Sequence, residues 1–358
     1  MISVTDMGAV GDGVTDDTAA VQAALDSAGR GDTVLLPAGR TFVQTRVLTV
    51  ANAGVTVTGG GTLLATQESD SSLTVTAADV TISGITLDIS STSRRWDAYE
   101  QQRLRLDGAS RVVVRDVVVD GSAAAGVYVG GGTSDFLLDR VTVQNTRADG
   151  IHITQGSHDG QVLSPVVRNV GDDGVAVVSY RQDGDPCARI RVVSPSVNGS
   201  TGGRGVSVVG GTDVDVTGLD VRNTYGAAVY LAAEGNWGTT GVARVRVSGG
   251  TIVNANSATG IDHGSVLVYN GTTDQTVQDI TVTGLTVSGY RATVSRVLGL
   301  IADSAASPGI RSVTLSAITI TGDSRPAALV SNQGATTFTA AGVLRNGGAL
   351  VRTGGYFR

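Results

Sequence analysis

The feature that most constrains this chain is a two-strand unit that recurs nine times between residues 80 and 322. It reads VTISGITLDIS from Val80, VVVRDVVVDGS from Val112, LLDRVTVQNT from Leu137 and VLSPVVRNV from Val162. It continues as IRVVSPSVNGS from Ile190, VDVTGLDVRNT from Val214, VRVSGGTIVNAN from Val245, ITVTGLTVSG from Ile280 and VTLSAITITG from Val313. Many copies end in Asn or Asp at one phase: Asp120, Asn145, Asn169, Asn198, Asn223 and Asn254, with gaps of 25, 24, 29, 25 and 31 residues. A third short strand follows the central copies: GVYVG, GIHIT, GVAVV, GVSVV and AAVYLA. Three short strands per repeat, with no helical pattern between them, describe one coil of a single-stranded parallel β-helix. Each coil buries its inward residues only by stacking on its neighbours, about 4.8 Å away. In-register Asn side chains at the turn are expected to hydrogen-bond along the stack.

Composition agrees with an all-β chain and removes several kinds of function. Aromatics are 4% and charged residues 16% of the chain, and 50 of the 358 residues are Gly. Strand formers separated by Gly, Asn and Asp are what remain. All 26 basic residues are Arg, so no Lys is present to serve as a base or form a Schiff base. The net charge of −6 and the absence of a basic stripe argue against nucleic acid as a partner. The single cysteine, Cys187, excludes an intrachain disulfide and Cys-based metal sites. No apolar run of membrane-spanning length occurs, and the N-terminus lacks a signal-peptide pattern. No membrane partner, cofactor or metal is therefore expected.

The ends of such a stack need protection, because an open coil exposes strand edges and apolar side chains. DDTAAVQAALDSAG supplies it: Asp16 or Asp17 is placed to N-cap a helix with Val21, Ala24, Leu25 and Ala28 on one face, ended by Gly29. The whole chain, 1–358, reads as one β-helix domain, with 1–45 as N-terminal cap, 46–325 as coils and 326–358 as C-terminal cap.

Residues 4–43, VTDMGAVGDGVTDDTAAVQAALDSAGRGDTVLLPAGRTF, resemble the opening segment of the pectate-lyase-like superfamily of right-handed parallel β-helices. The resemblance implies an all-β fold: a single-stranded right-handed parallel β-helix with an N-terminal capping helix. Within that superfamily the chain is most similar to polygalacturonase-type glycoside hydrolases of family 28. RADGIHI resembles their Asn-Thr-Asp-Gly segment and keeps Asp149 and Gly150, while VGDDGVAV matches their Gly-Asp-Asp segment through Gly171, Asp172 and Asp173. Where that family has Gly-His-Gly this chain has GGRGVSVVG, with Arg204 in the His position. Its Arg-x-Lys strand falls near YGAAVYLAAEG, where Tyr225 and Tyr230 are the available polar groups. The departures lie at the residues that bind uronate in polygalacturonases, so plain homogalacturonan is not the expected substrate. The epimerase Asp-Pro-His segment has no counterpart here. A lyase would need a base, for which Arg204 is the candidate.

Asp149 precedes Asp172 and Asp173 by 23 and 24 residues, one coil, so the three are expected on adjacent coils roughly 5–9 Å apart. That range suits the carboxyl pairs of glycosidases, and its wider end leaves room for an attacking water and gives inversion. Like charges in one patch favour retention of a proton on one of them. The resemblance implies Asp172 as general acid, with Asp149 and Asp173 orienting and deprotonating the water.

Strand alternation puts His152 opposite Ile151 and Ile153, on the groove side beside Asp149. His158, in GSHDG, reads as a loop residue. Arg204 is placed to bind an anionic group or to pair with Asp173, and Tyr180 and Arg181 follow the strand after Asp173. The insertion STSRRWDAYEQQR carries Trp96, and the loop AEGNWGTTG carries Trp237. An indole face stacks on a pyranose, so both are candidate sugar platforms. The sequence thus points to an extracellular or virion-borne carbohydrate-active enzyme, with a polysaccharide or oligosaccharide as partner. A polysaccharide lyase and a non-catalytic phage-tail β-helix are the alternatives. A monomer suits the enzyme, and a trimer suits the tail protein.

Overall fold

The computed structural model describes residues 1–303 and 309–350 fully, and 352–353 and 356–357 as backbone strands. The expected C-terminal cap therefore lies partly outside the described residues. The chain forms two compact units, Met1–Gly171 and Asp172–Arg358. Each is a stretch of parallel β-helix, and each is taken in turn.

In the first unit the N-terminal helix α1 spans Thr18–Ser27 and buries Val21, Ala24 and Leu25. Asp17 stands at the N-cap without a side-chain cap bond, and Asp16 Oδ1 instead accepts from the Thr18 N–H at 3.0 Å. Asp17 is buried, and its carboxylate accepts from the N–H groups of Val10, Gly11 and Val43. It therefore ties the opening turn to the first coil. The helix ends at Ser27 with Ala28 already extended, one residue earlier than Gly29 predicts.

Three rows of parallel strands follow. One row stacks Thr56–Thr58, Thr81–Ser83, Val113–Arg115, Leu137–Asp139 and His158–Leu163. The second stacks Thr41–Gln44, Thr62–Ala65, Thr86–Ile89, Val118–Ser122, Thr142–Thr146 and Val166–Val170. The third, which carries the site described below, stacks Leu48–Val50, Leu73–Val75, Leu104–Asp107, Val127–Gly130 and Ile151–Ile153. Valine and isoleucine alternate inward along each strand, as in Ile151 and Ile153 flanking His152. Fully burying one such side chain contributes roughly 1.5–3 kcal/mol, offset by the cost of ordering the chain.

The Asn series forms the expected ladder. Asn169 donates to Asn145 at 2.8 Å, and Asn145 donates to Asp120 at 2.7 Å. Asn145 and Asn169 also hold φ of 60° and 49°, a left-handed turn that Asn tolerates better than most residues. The insertion at 91–103 is anchored by Arg103, which is fully buried. Its guanidinium donates to the carbonyls of Leu63, Ser71 and Asp88 and to Gln44 Oε1. Burial lowers its pKa to about 9, against the weaker opposing influence of Asp88.

In the second unit the first two rows run partly together, as in the long strands Gly211–Thr224, Val242–Val253 and Val277–Ser288. The third row stacks Val175–Val178, Val206–Val209, Val229–Ala233, Val266–Asn270, Arg296–Ala302 and Ala327–Ser331. Its last strand pairs antiparallel with Tyr356–Phe357. The polar ladder recurs, with Asn254 donating to Asn223 and Asn223 to Asn198. Among the described residues no helix is long and apolar enough to cross a membrane.

Candidate active site

Asp149, His152, Asp172, Asp173, Arg204 and Tyr230 sit on or just before strands of the third row. In the first unit Asp149 lies in the turn before Ile151–Ile153, fixed by its own carbonyl, which accepts from the Gly126 N–H at 3.0 Å. Its carboxylate Oδ2 lies 2.5 Å from His152 Nδ1. A carboxylate has only acceptors, so Nδ1 donates and Nε2 is the nitrogen directed elsewhere. The imidazole stacks on Tyr128 at 5.5 Å, its register partner on the preceding coil. Tyr99 meets Tyr128 edge-on at 5.8 Å and carries the Arg105 guanidinium 4.1 Å from its ring centre. His152 is therefore held in one orientation from two sides.

Trp96 is half-buried, with the Arg94 guanidinium 3.9 Å from its ring centre, so the protein already uses one indole face. His158 belongs to the first row, bridged to Ser134, and not to the row that carries His152.

In the second unit Asp172 and Asp173 lead into Val175–Val178. The turn depends on two glycines. A Cβ on Gly174 would fall 2.5 Å from the Val197 side chain and 2.6 Å from the Gly205 carbonyl. A Cβ on Gly203 would fall 2.3 Å from Asp172 Oδ1 and 2.5 Å from Asp173 Oδ1, so both carboxylates rest on its bare Cα. Asp173 is buried; Oδ1 accepts from the Arg204 N–H at 2.6 Å and Oδ2 from the Ser207 hydroxyl at 2.5 Å.

Arg204 joins this pair to a cavity of about 380 Å³. Its guanidinium lies 3.7 Å from Asp173, donates to Glu234 at 2.8 Å and sits 4.3 Å from the centre of the Tyr230 ring. Tyr230 donates its hydroxyl to the same Glu234 oxygen and stacks on His263 at 5.4 Å. Tyr269 continues the stack and donates to Asp303. Trp237 closes the rim, 71% exposed.

Electrostatics follow from these contacts. Burial opposes the charge on Arg204, but Asp173 and Glu234 outweigh it and hold its pKa above the ordinary value. Burial, reinforced by Glu234, pushes the Tyr230 phenol up, and burial with Asp303 does the same to Tyr269. Burial, then the positive charges of Arg204 and Arg296, draw His263 down to about 4. At neutral pH the cavity thus presents neutral phenols and a neutral imidazole.

Of the residues singled out in the sequence, Arg204, Tyr230 and Trp237 meet at this cavity. Tyr180 and Arg181 instead brace the Trp237 loop: Tyr180 bridges Thr239, and the Arg181 N–H donates to the Gly238 carbonyl at 2.9 Å. Tyr225 is half-buried in the turn before Val229, where its N–H donates to the Ser200 carbonyl. Sequence reasoning missed Glu234, His263, Tyr269 and Asp303. Outward alternation would have found Tyr269, the register partner of Ala232 on the next coil.

The family described as rhamnogalacturonase A/epimerase, pectate lyase-like matches residues 1–229. The mannuronan C5-epimerase AlgE5 of Azotobacter vinelandii is 64% identical over 39 residues, covering 10% of this chain and 4% of the relative. The chain thus matches only a small part of that relative's length. Two solved structures share the fold over nearly the full chain. The catalytic unit of the GH87 α-1,3-glucanase from Streptomyces thermodiastaticus has a TM-score of 0.68 at 18% identity, over 96% of this chain and 68% of that one. The endo-xylogalacturonan hydrolase from Aspergillus tubingensis has a TM-score of 0.64 at 20% identity, over 92% of this chain and 98% of that one.

Proposed function

Because the chain belongs to the rhamnogalacturonase A/epimerase, pectate-lyase-like family, we propose that it is a glycoside hydrolase that cleaves a polysaccharide, with the inversion that the likeness of its Asp motifs to family 28 implies. The observation that carries this reading is the Asp172–Asp173 pair, seated on Gly203 and linked through Arg204 to an aromatic cavity. Two carboxyl groups with different surroundings are what acid–base cleavage of a glycosidic bond requires. Asp173 is buried and held by two donors, whereas Asp172 is half-buried.

Asp172 is the general acid, giving its proton to the glycosidic oxygen as the bond from the anomeric carbon breaks. Asp173 takes a proton from the water whose oxygen bonds to that carbon on the opposite face. Asp149, assigned from its motif and its spacing in the chain, shares the task of orienting the water. The products are a new reducing end of inverted configuration and a free hydroxyl on the leaving sugar. His152, held by Asp149 and Tyr128, serves substrate binding in the first unit. A glycan substrate places the work outside the cell or on a virion.

Elimination is disfavoured by the state of Arg204. A lyase would use it as the proton abstractor, yet two carboxylates keep its proton firmly bound. The test is reducing-end release across neutral and acidic polysaccharides by wild type and Asp172→Asn. Release by wild type alone supports the reading. Equal release by both, or an ultraviolet-absorbing unsaturated product, overturns it.

A further inference from the structure

The cavity in the second unit holds two guanidinium groups, Arg204 and Arg296, and each is already paired with a carboxylate. Arg204 is bound by Glu234 at 2.8 Å and by Asp173 at 3.7 Å, with its flat face over Tyr230. Arg296 lies 3.6 Å from the Asp262 carboxylate and donates to the Asp262 carbonyl and the Ser295 hydroxyl. Asp303 adds a further carboxylate at the wall. Glu234 and Asp303 line the cavity together with the two guanidiniums, and Asp173 and Asp262 pair with those guanidiniums from behind the wall. An entering uronate would meet two guanidiniums that already carry carboxylate partners, with four carboxylates at or just behind the wall.

What the walls offer instead suits an uncharged ring. The phenols and the imidazole of His263 are neutral groups that exchange hydrogen bonds with hydroxyls. The Trp237 indole at the rim offers an apolar face for the C–H face of a pyranose. Arg181 and Tyr180 hold the loop that carries it.

We propose that this cavity is a subsite for an uncharged sugar ring, with Trp237 as its platform and Glu234 as the residue that turns anionic sugars away. The inference rests on the reading that the protein acts on a glycan and adds the charge class of that glycan. Glu234 acts twice: it neutralises Arg204, and its negative charge faces the incoming sugar.

Binding tests it separately from turnover. Full-length Asp172→Asn protein is titrated calorimetrically with neutral gluco- and galacto-oligosaccharides and with oligogalacturonates of equal length. Neutral oligosaccharides should bind, and oligogalacturonates at least about tenfold more weakly at low salt. That gap should narrow near 1 M salt, where the Debye length falls to about 3 Å. Trp237→Ala, at an exposed position, should weaken neutral binding roughly tenfold. Glu234→Gln keeps an oxygen for Arg204 and Tyr230, and should improve oligogalacturonate binding relative to neutral binding. Oligogalacturonates binding as tightly as neutral sugars, no binding across the panel, or no effect of Trp237→Ala would each overturn the proposal. If the binding pattern holds but wild type releases no reducing ends, the subsite stands and the hydrolase reading falls.

Discussion

Arg204 and Glu234 form a 2.8 Å ion pair above the ring of Tyr230, and Tyr230 donates its hydroxyl to the same Glu234 oxygen. With Asp173 on its other side, one guanidinium holds together the carboxylate pair and the aromatic wall. Removing one partner of a mostly buried charge cluster leaves the others uncompensated. Arg204→Ala should therefore cost about 3 kcal/mol, read as a lower urea midpoint. Arg204→Lys should recover only part of it, because an ammonium cannot lie flat on Tyr230 while serving two carboxylates. A variant as stable as wild type would show that the pairs contribute nothing.

Gly203 is a second point of leverage. Its bare Cα leaves space for both carboxylates, and a Cβ there would overlap Asp172 and Asp173. Gly203→Ala should lower kcat by about 100-fold or more, since misplacing a reacting group by about 1 Å costs that much. Its circular dichroism should stay that of a β-helix. Wild-type kcat would remove these two aspartates from the chemistry.

The depressed pKa of His263 sets a pH dependence. The unfolded imidazole takes up a proton below its ordinary value of 6.5, while the folded one resists down to about 4. The unfolded state thus binds more protons in that window, so stability is full above pH 6.5 and falls as pH drops toward 4. His263→Asn should flatten urea midpoints across this window. An unchanged slope would show that other groups carry it.

Asn145 combines a left-handed backbone, φ 60°, with ladder hydrogen bonds donated to Asp120 and accepted from Asn169. Asn145→Ala should cost about 2 kcal/mol, roughly half from each contribution. Asn145→Gly restores the backbone freedom but not the bonds, so it should fall between Ala and wild type. Equal stability of Ala and Gly variants would assign the effect to the bonds alone.

The repeat was legible because a coil can bury its strands only on neighbours of the same register. The Asn ladder follows from that phase, and the buried face of α1 from the helical spacing of Val21, Ala24 and Leu25. The site was harder to read. Glu234, His263 and Asp303 lie just outside their strands, and the variable turns hide which residues align from coil to coil. Asp17 reads as a helix cap but serves three N–H groups of the opening turn and first coil. Arg103 sits in a polar insertion yet is fully buried, because carbonyls left by several coils gather around it. Such long-range satisfaction leaves no local signal.

In the proposed reaction Asp172 supplies the proton for inverting cleavage. The most direct measurement is proton NMR of the anomeric signal during the first minutes of hydrolysis, with wild type and Asp172→Asn on one oligosaccharide. The fresh product should have the opposite anomeric configuration from the bond cleaved, and the variant should give no product. A product of retained configuration, or equal turnover by Asp172→Asn, would contradict it.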